Sequence, residues 1–295
     1  MVLYFFKKVL LPTLFLAGFA KAASTPDTVE YKIIAINDFH GQIIASPKAS
    51  YKPVGAAAVL ASYIEAAVNG WQNRCVFVES GDLVGASQPE CALLQDEPAI
   101  LFMNYINRKI PVIGALGNHE LDKGIPELKR LLYGGNFAKG PFLQNPWKGA
   151  NFPVLCANMT DSATSLPLQY PFTVKYIPGI NVPIAFIAAI LKETPAMVAA
   201  TSAQGLKFND EVTTINYYVS MLREVLGVHA FVVLLHQGGK QTPYSGWTDT
   251  FQAGPSSDIV SMVSQFDDDV DIVCTAHSHS FTNAIVKTKT AEKYW

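Results

Sequence analysis

Five apolar runs in this chain end in side chains that can bind or move protons. "YKIIAIN" runs into Asp38 and His40, "CVFVES" into Gly81-Asp82, and "PVIGALG" into Asn118 and His119. "FVVLL" runs into His236, and "DIVCTA" into His277 and His279. Of the six histidines, only His229 lies elsewhere. Carboxylate, amide and imidazole together form the donor set of zinc, manganese, iron or cobalt; calcium takes more oxygen. Seven such donors without a cysteine exceed the four of a closed zinc site, so the set suits two ions better than one. Asp82 is the carboxylate placed to bridge them. Residues two apart on an extended chain share a face, so Asp38 should point with His40, and His277 with His279.

Taken singly, each piece has an ordinary reading. Asp-x-His is a turn carboxylate beside a surface imidazole, Gly-Asp a common turn, and His236 a satisfied structural histidine. "NHELDKG" opens like a zinc-protease helix but has Lys123 where the second histidine is required, so that chemistry is excluded. What carries the metal reading is joint placement after separate runs.

The elements that must position these residues follow from periodicity. "YKIIAIN", "RCVFVES", "IPVIGAL", "FPVLCAN", "PFTVKYI", "VPIAFIAAI", "AFVVLLH" and "VDIVCTA" read as strands, with "PFTVKYI" at an edge. "GAAAVLASYIEAAVN", "EPAILFMNYINR", "IPELKRLL", "DEVTTINYYVSMLREVL" and "SSDIVSMVSQF" read as helices, and Gly134 to Asn151 as a loop. Such alternation predicts an α/β protein with buried, mostly parallel strands. Ligands of such sheets collect beyond the carboxyl ends of strands, where all the candidate residues fall.

The first twenty-two residues combine a basic start, a short apolar core and "AKA", which is the pattern of an export signal cut before Ala23. A single membrane anchor is the alternative, disfavoured by the short core. Residues 23–295 then form a protein that is periplasmic or secreted, with no stable membrane anchor after cleavage. Cleavage removes three lysines and no acids, taking the formal charge from −2 to −5, which argues against a nucleic-acid polymer as partner. Cys75, Cys91, Cys156 and Cys274 are too few and scattered for a disulfide scaffold or zinc ribbon. Cys75 and Cys274, inside apolar runs, read as buried thiols.

In this order, "DFH", "GD", "GNHE", "LLHQ" and "AHSH" resemble the blocks of the calcineurin-like metallophosphoesterases, from about Tyr31 to the C-terminus. "NDFHGQ", "GDLVGAS", "ALGNHELDKG", "NFPVLCANM" and "LLHQGG" are similar to the branch of 5′-nucleotidases and 2′,3′-cyclic-nucleotide phosphodiesterases. The resemblance implies a four-layer α/β/β/α sandwich and a hydrolase that uses two divalent ions to activate water against phosphate esters, most simply 5′-nucleotides. It implies one ion held by Asp38, His40, Asp82 and His279, and a second by Asp82, Asn118, His236 and His277. His119 would be the catalytic histidine outside the ligand set, oriented by Asp122. Glu120 matches the motif without an assigned role, and His229 matches nothing. Ala276 stands where the family has glycine, so strain is expected there if positive φ is needed. Family nucleotidases continue into a substrate-binding domain, whereas only "NAIVKTKTAEKYW" follows here, with "NAIVKT" as one strand; the sandwich is expected to be truncated at its C-terminal end. Three readings compete: a piece of a longer nucleotidase, a free-standing phosphatase or phosphodiesterase of broad specificity, and an inactive metal-binding or interaction protein.

Overall fold

The computed structural model describes residues 28–49, 52–140, 143–246, 248, 254–256, 258–287 and 292–294. The export signal expected over residues 1–22 lies outside them. Along the chain, strand β1 (Lys32–Ile36) leads into a hairpin of β2 (Ala45–Ala49) and β3 (Lys52–Gly55), then helix α1 (Ala57–Val68) and β4 (Cys75–Glu79). Helices α2 (Pro89–Ala92) and α3 (Glu97–Asn107) precede β5 (Val112–Ala115), a 3₁₀ turn at His119–Leu121, and α4 (Gly124–Tyr133). Next come β6 (Val154–Leu155), β7 (Met159–Asp161), β8 (Phe172–Tyr176), β9 (Pro183–Ile190) and β10 (Leu206–Phe208). Helix α5 (Glu211–Leu226), β11 (Phe231–His236), α6 (Asp258–Val263), β12 (Val270–Thr275), β13 (Ile285–Lys287) and β14 (Glu292–Tyr294) complete the order.

Two sheets carry the fold. The first runs β1-β4-β5-β6, all parallel. The second runs β13-β14-β12-β11-β9-β8, parallel through its middle, with β8 and β13 antiparallel at the edges. Alternation of side chains along each strand decides the layers. Cys75 and Phe77 of β4 face α1, α3 and α4, whereas Val76 and Val78 face the second sheet. In the second sheet, Ile184, Phe186, Ala188, Val232 and Leu234 meet the first. Ala185, Ile187, Phe231, Val233 and Leu235 instead pack under α5 and α6. The result is helix, sheet, sheet, helix, the expected four-layer sandwich. Each large apolar side chain so buried contributes about 1.5–3 kcal/mol, so this double core holds the loops of both sheets in register.

Local signals agree with the layers. Asp210 accepts the Thr213 N–H at 3.0 Å and so caps α5, which Gly227 closes in a left-handed turn at φ 64°. Between Gly134 and Asn151 no described residue is helical or in a strand. None of the four cysteines is in a disulfide; Cys75 is buried as expected, whereas Cys274 is only half-buried. The hairpin β2–β3 and the pair β7–β10 were not foreseen, because their short polar segments carry no apolar period.

Candidate active site

Because β1, β4 and β5 are parallel, their carboxyl ends share one edge, and β11 and β12 end on the same side of the second sheet. Backbone bonds lock these ends together. The N–H of Asp38 donates to the Gly81 carbonyl at 3.1 Å, and that of His40 to the Asp82 carbonyl at 2.9 Å. The His277 N–H reaches both oxygens of Asp38 at 3.0 Å, joining the two sheets across the rim. The His119 N–H donates to Asp82 Oδ1 at 2.9 Å.

All seven candidate ligands converge on this rim. Two of the side-chain clusters, each with donor atoms within 4.8 Å of one another, are Asp38–His40–His279 and Asp82–His236–His277. A third, His40–Asp82–His119, joins them. His236 Nε2 lies 3.1 Å from Asp82 Oδ2 and 3.2 Å from Asn118 Oδ1, and His277 Nδ1 lies 3.0 Å from the same amide oxygen. On the other side, His40 Nε2 is 3.8 Å from Asp82 Oδ2 and 3.1 Å from His279 Nε2, which is itself 3.4 Å from Asp38. Burial grades across the cluster: Asp82, Asn118 and His236 are buried, Asp38, His40 and His277 half-buried, and His279 exposed.

These residues fit a pair of divalent ions. His40 Nδ1 faces the Gly85 carbonyl at 2.8 Å and His236 Nδ1 faces the Ser80 carbonyl at 3.0 Å. A carbonyl only accepts, so both Nδ1 atoms carry the proton and both Nε2 atoms turn a lone pair inward. Lone pairs from His40 and His236 thus point at the Asp82 carboxylate, and that of His236 also at the Asn118 amide oxygen. Bound cations would satisfy that arrangement. The titration directions agree: burial alone would depress His236, but the Asp82 carboxylate beside it reverses the shift and raises it. His277 is lowered, by burial and then by His236.

The sequence expectation of an extended chain at both pairs is overturned. Asp38, His40, Asp82, His277 and His279 hold positive φ of 50°, 46°, 59°, 70° and 48°. The chain is therefore not extended at either pair; Asp38 and His40 still meet in one cluster, as expected, whereas His277 and His279 diverge, one joining Asp82 and His236, the other Asp38 and His40. Left-handed backbone costs about 1–2 kcal/mol per non-glycine residue, a strain that functional sites concentrate. Ala276 is not among the positive-φ residues; the strain falls on His277 next to it. Gly81 is required for both reasons at once, since its φ is 97° and a β-carbon there would lie 2.5 Å from His236 Nδ1.

His119 stands at the edge of the cluster, with its ring 5.1 Å from that of His40. Its Nδ1 is 2.8 Å from Asp122 Oδ2, and that carboxylate, ahead of opposing burial, raises the His119 pKa. The dyad spacing expected from the motif is present. His229 sits at the opposite, amino end of β11, its side chain 70% exposed and 3.6 Å from Asp269. It is remote from the cluster, as its lack of a motif suggests.

Two buried acids lie behind the rim: Glu79, not singled out from sequence, and Glu120, which matched the motif without an assigned role. Glu79 closes β4 with neither carboxylate oxygen hydrogen-bonded, and burial, reinforced by Glu120, pushes its pKa well up. Glu120 is pushed to about 7 by burial and then by Asp82. A charged residue ending the apolar run "CVFVES" was the available signal for the first.

The profile of the calcineurin-like phosphoesterases matches residues 31–281. The chain belongs to that family. Calcineurin-like phosphoesterases are phosphoric ester hydrolases with dinuclear metal centres, in keeping with the donor set just described. Among curated proteins, the chain is 35% identical to a cell wall protein of Listeria monocytogenes over 92% of its length, and 31% identical to the endonuclease YhcR of Bacillus subtilis over 92%. It spans only 36% and 22% of those two proteins. It is also 27% identical, over 78% of its length, to a 2′,3′-cyclic-nucleotide 2′-phosphodiesterase/3′-nucleotidase of Salmonella typhimurium, of which it spans 35%. The fold matches that of a Thermus thermophilus 5′-nucleotidase precursor with a TM-score of 0.64 at 19% identity, covering 90% of this phosphoesterase and 48% of that chain. A Haemophilus influenzae NAD nucleotidase gives 0.62 at 21% identity, covering 85% and 39%. Among the described residues, no helix of this phosphoesterase is long and apolar enough to cross a membrane.

Proposed function

We propose that this chain hydrolyses small phosphate esters, 5′-nucleotides first among them, at two divalent ions. One ion would be held by Asp38, His40, Asp82 and His279, the other by Asp82, Asn118, His236 and His277. The reading rests on one observation: oxygen and nitrogen atoms from five strand ends of two sheets meet at one rim, where the inward Nε2 atoms of His40 and His236 face the Asp82 carboxylate as acceptors. When bound, the ions would lower the pKa of a water toward neutrality and take up charge on the phosphoryl oxygens.

The chain's own residues do the rest. Asp82, buried and held by the His119 N–H, keeps one carboxylate between the two histidine groups. Asp122 accepts from His119 Nδ1 and so leaves Nε2 to face the substrate. The raised pKa favours the protonated ring, which donates its Nε2 proton to the departing ester oxygen, released as a hydroxyl. Exposed His279 and Asp122 put this chemistry at an open rim, where a small ester enters without displacing the core.

In the same reading residues 1–22 are an export signal, residues 23–295 are the catalytic unit, and the protein works in the periplasm or outside the cell. Relatives named for nucleotide hydrolysis support the substrate class. The test is hydrolysis of AMP, UDP-glucose, 2′,3′-cyclic AMP, p-nitrophenyl phosphate and single-stranded DNA, after metal removal and again with manganese, cobalt or zinc. We expect release of phosphate from AMP only with metal. Turnover that survives exhaustive chelation overturns the metal centre. Cleavage of the polymer alone, the activity named for one relative, replaces the substrate, and metal binding without turnover supports the inactive reading.

A further inference from the structure

We propose that Glu120 is the positioning residue that sets Asp82 between the two metal sites, an inference that rests on the dinuclear reading above. Glu120 is buried and belongs to none of the three candidate metal clusters among the described residues. Its carboxylate accepts three backbone N–H groups: Asp82 at 3.0 Å and Gly117 at 2.6 Å on Oε2, and Val84 at 3.2 Å on Oε1. Asp82 and Val84 lie in the loop after β4, Gly117 in the loop after β5, one residue before Asn118. One side chain thus ties together the two loops that carry the bridging carboxylate and the amide ligand.

The bonds also restrain the backbone of Asp82, whose φ of 59° is unfavourable for a residue with a β-carbon. A carboxylate offers only acceptors, which is what three converging N–H groups require. Glutamine keeps the shape but turns an NH₂ toward at least one of those donors, leaving a buried N–H without a partner. Supporting groups of this kind change metal affinity by about 10- to 100-fold.

The test is manganese titration of the metal-free chain, followed by electron paramagnetic resonance. In the unaltered protein we expect two ions and an exchange-coupled spectrum. Glu120→Gln should bind the second equivalent at least tenfold more weakly and show uncoupled ions, with circular dichroism unchanged. Leu222→Val, a core change under α5 far from the rim, should lower thermal stability yet keep the coupled spectrum. Should Glu120→Gln not fold, Glu120→Asp, which withdraws the same acceptors by one methylene, is expected to show the same loss of coupling. Unaltered coupling and affinity in the Glu120 variant, or equal loss in Leu222→Val, overturns the assignment. An unaltered protein that binds no manganese instead overturns the dinuclear reading.

Discussion

Gly117→Ala makes a sharp test of how tightly the rim is packed. A β-carbon at this position would lie 2.5 Å from the Asp82 nitrogen and 2.6 Å from His236 Cε1, and closer still to Asp82 Oδ1. The backbone of Gly117 is not in the left-handed region, so alanine is locally allowed there and the effect is purely one of space. Ordinary contact begins at 3.4 Å, so the Asp82 backbone must withdraw by about 0.9 Å, the difference from 2.5 Å. Metal–ligand distances tolerate about 0.2 Å. Overpacking of this size costs about 1–3 kcal/mol, and displacement of reacting groups by about 1 Å lowers turnover on the order of a hundredfold. We expect kcat/KM with AMP to fall by about 10²-fold and manganese affinity to fall in calorimetry, with circular dichroism unchanged. Gly254→Ala, where a β-carbon meets nothing within 4 Å, is the control. Native metal affinity and turnover in Gly117→Ala would refute the claim that Asp82 and His236 are held by close packing.

Other expectations address the site and the scaffold. Asp82→Asn should lose bound metal by elemental analysis, whereas His119→Ala should keep it and slow turnover by about 10²–10⁴-fold. Arg130→Ala strands Glu97, a fully buried carboxylate 2.7 Å from the guanidinium, and should cost about 3–5 kcal/mol in denaturant unfolding. An unchanged midpoint would show that Glu97 finds another partner. Asp210→Ala removes the α5 cap and should cost about 1 kcal/mol at neutral pH. The Thr213 N–H, ahead of opposing burial, holds the Asp210 carboxyl below its ordinary range. Its contribution is therefore present above the unfolded pKa of about 4 and is lost as pH falls through the lower folded value. The difference between the native protein and Asp210→Ala should shrink in that acid window; a constant difference down to pH 2 would contradict the linkage.

Most of the candidate site was legible because its residues follow strands whose apolar periodicity is strong. Five runs such as "FVVLL" before His236 announce both the strand and its end, and an all-parallel sheet has only one edge for such ends. What stayed hidden lay in φ and in space. Nothing in "AHSH" says that both histidines take positive φ and part company, because that depends on Asp38 of the other sheet binding the His277 N–H. Glu120 looked like a motif letter without a task, since its three donors come from positions 82, 84 and 117.

The sequence by itself determined which chemical groups are present, the α/β alternation, and which end of each strand carries them, because these depend on side-chain type and local period. Only the tertiary structure decided which donors share a cluster, which nitrogen of each imidazole faces inward, and which buried carboxylate braces the rim. Those depend on carbonyls and N–H groups contributed by segments as far apart as Ser80 and His236, and no local pattern encodes a contact across 156 positions.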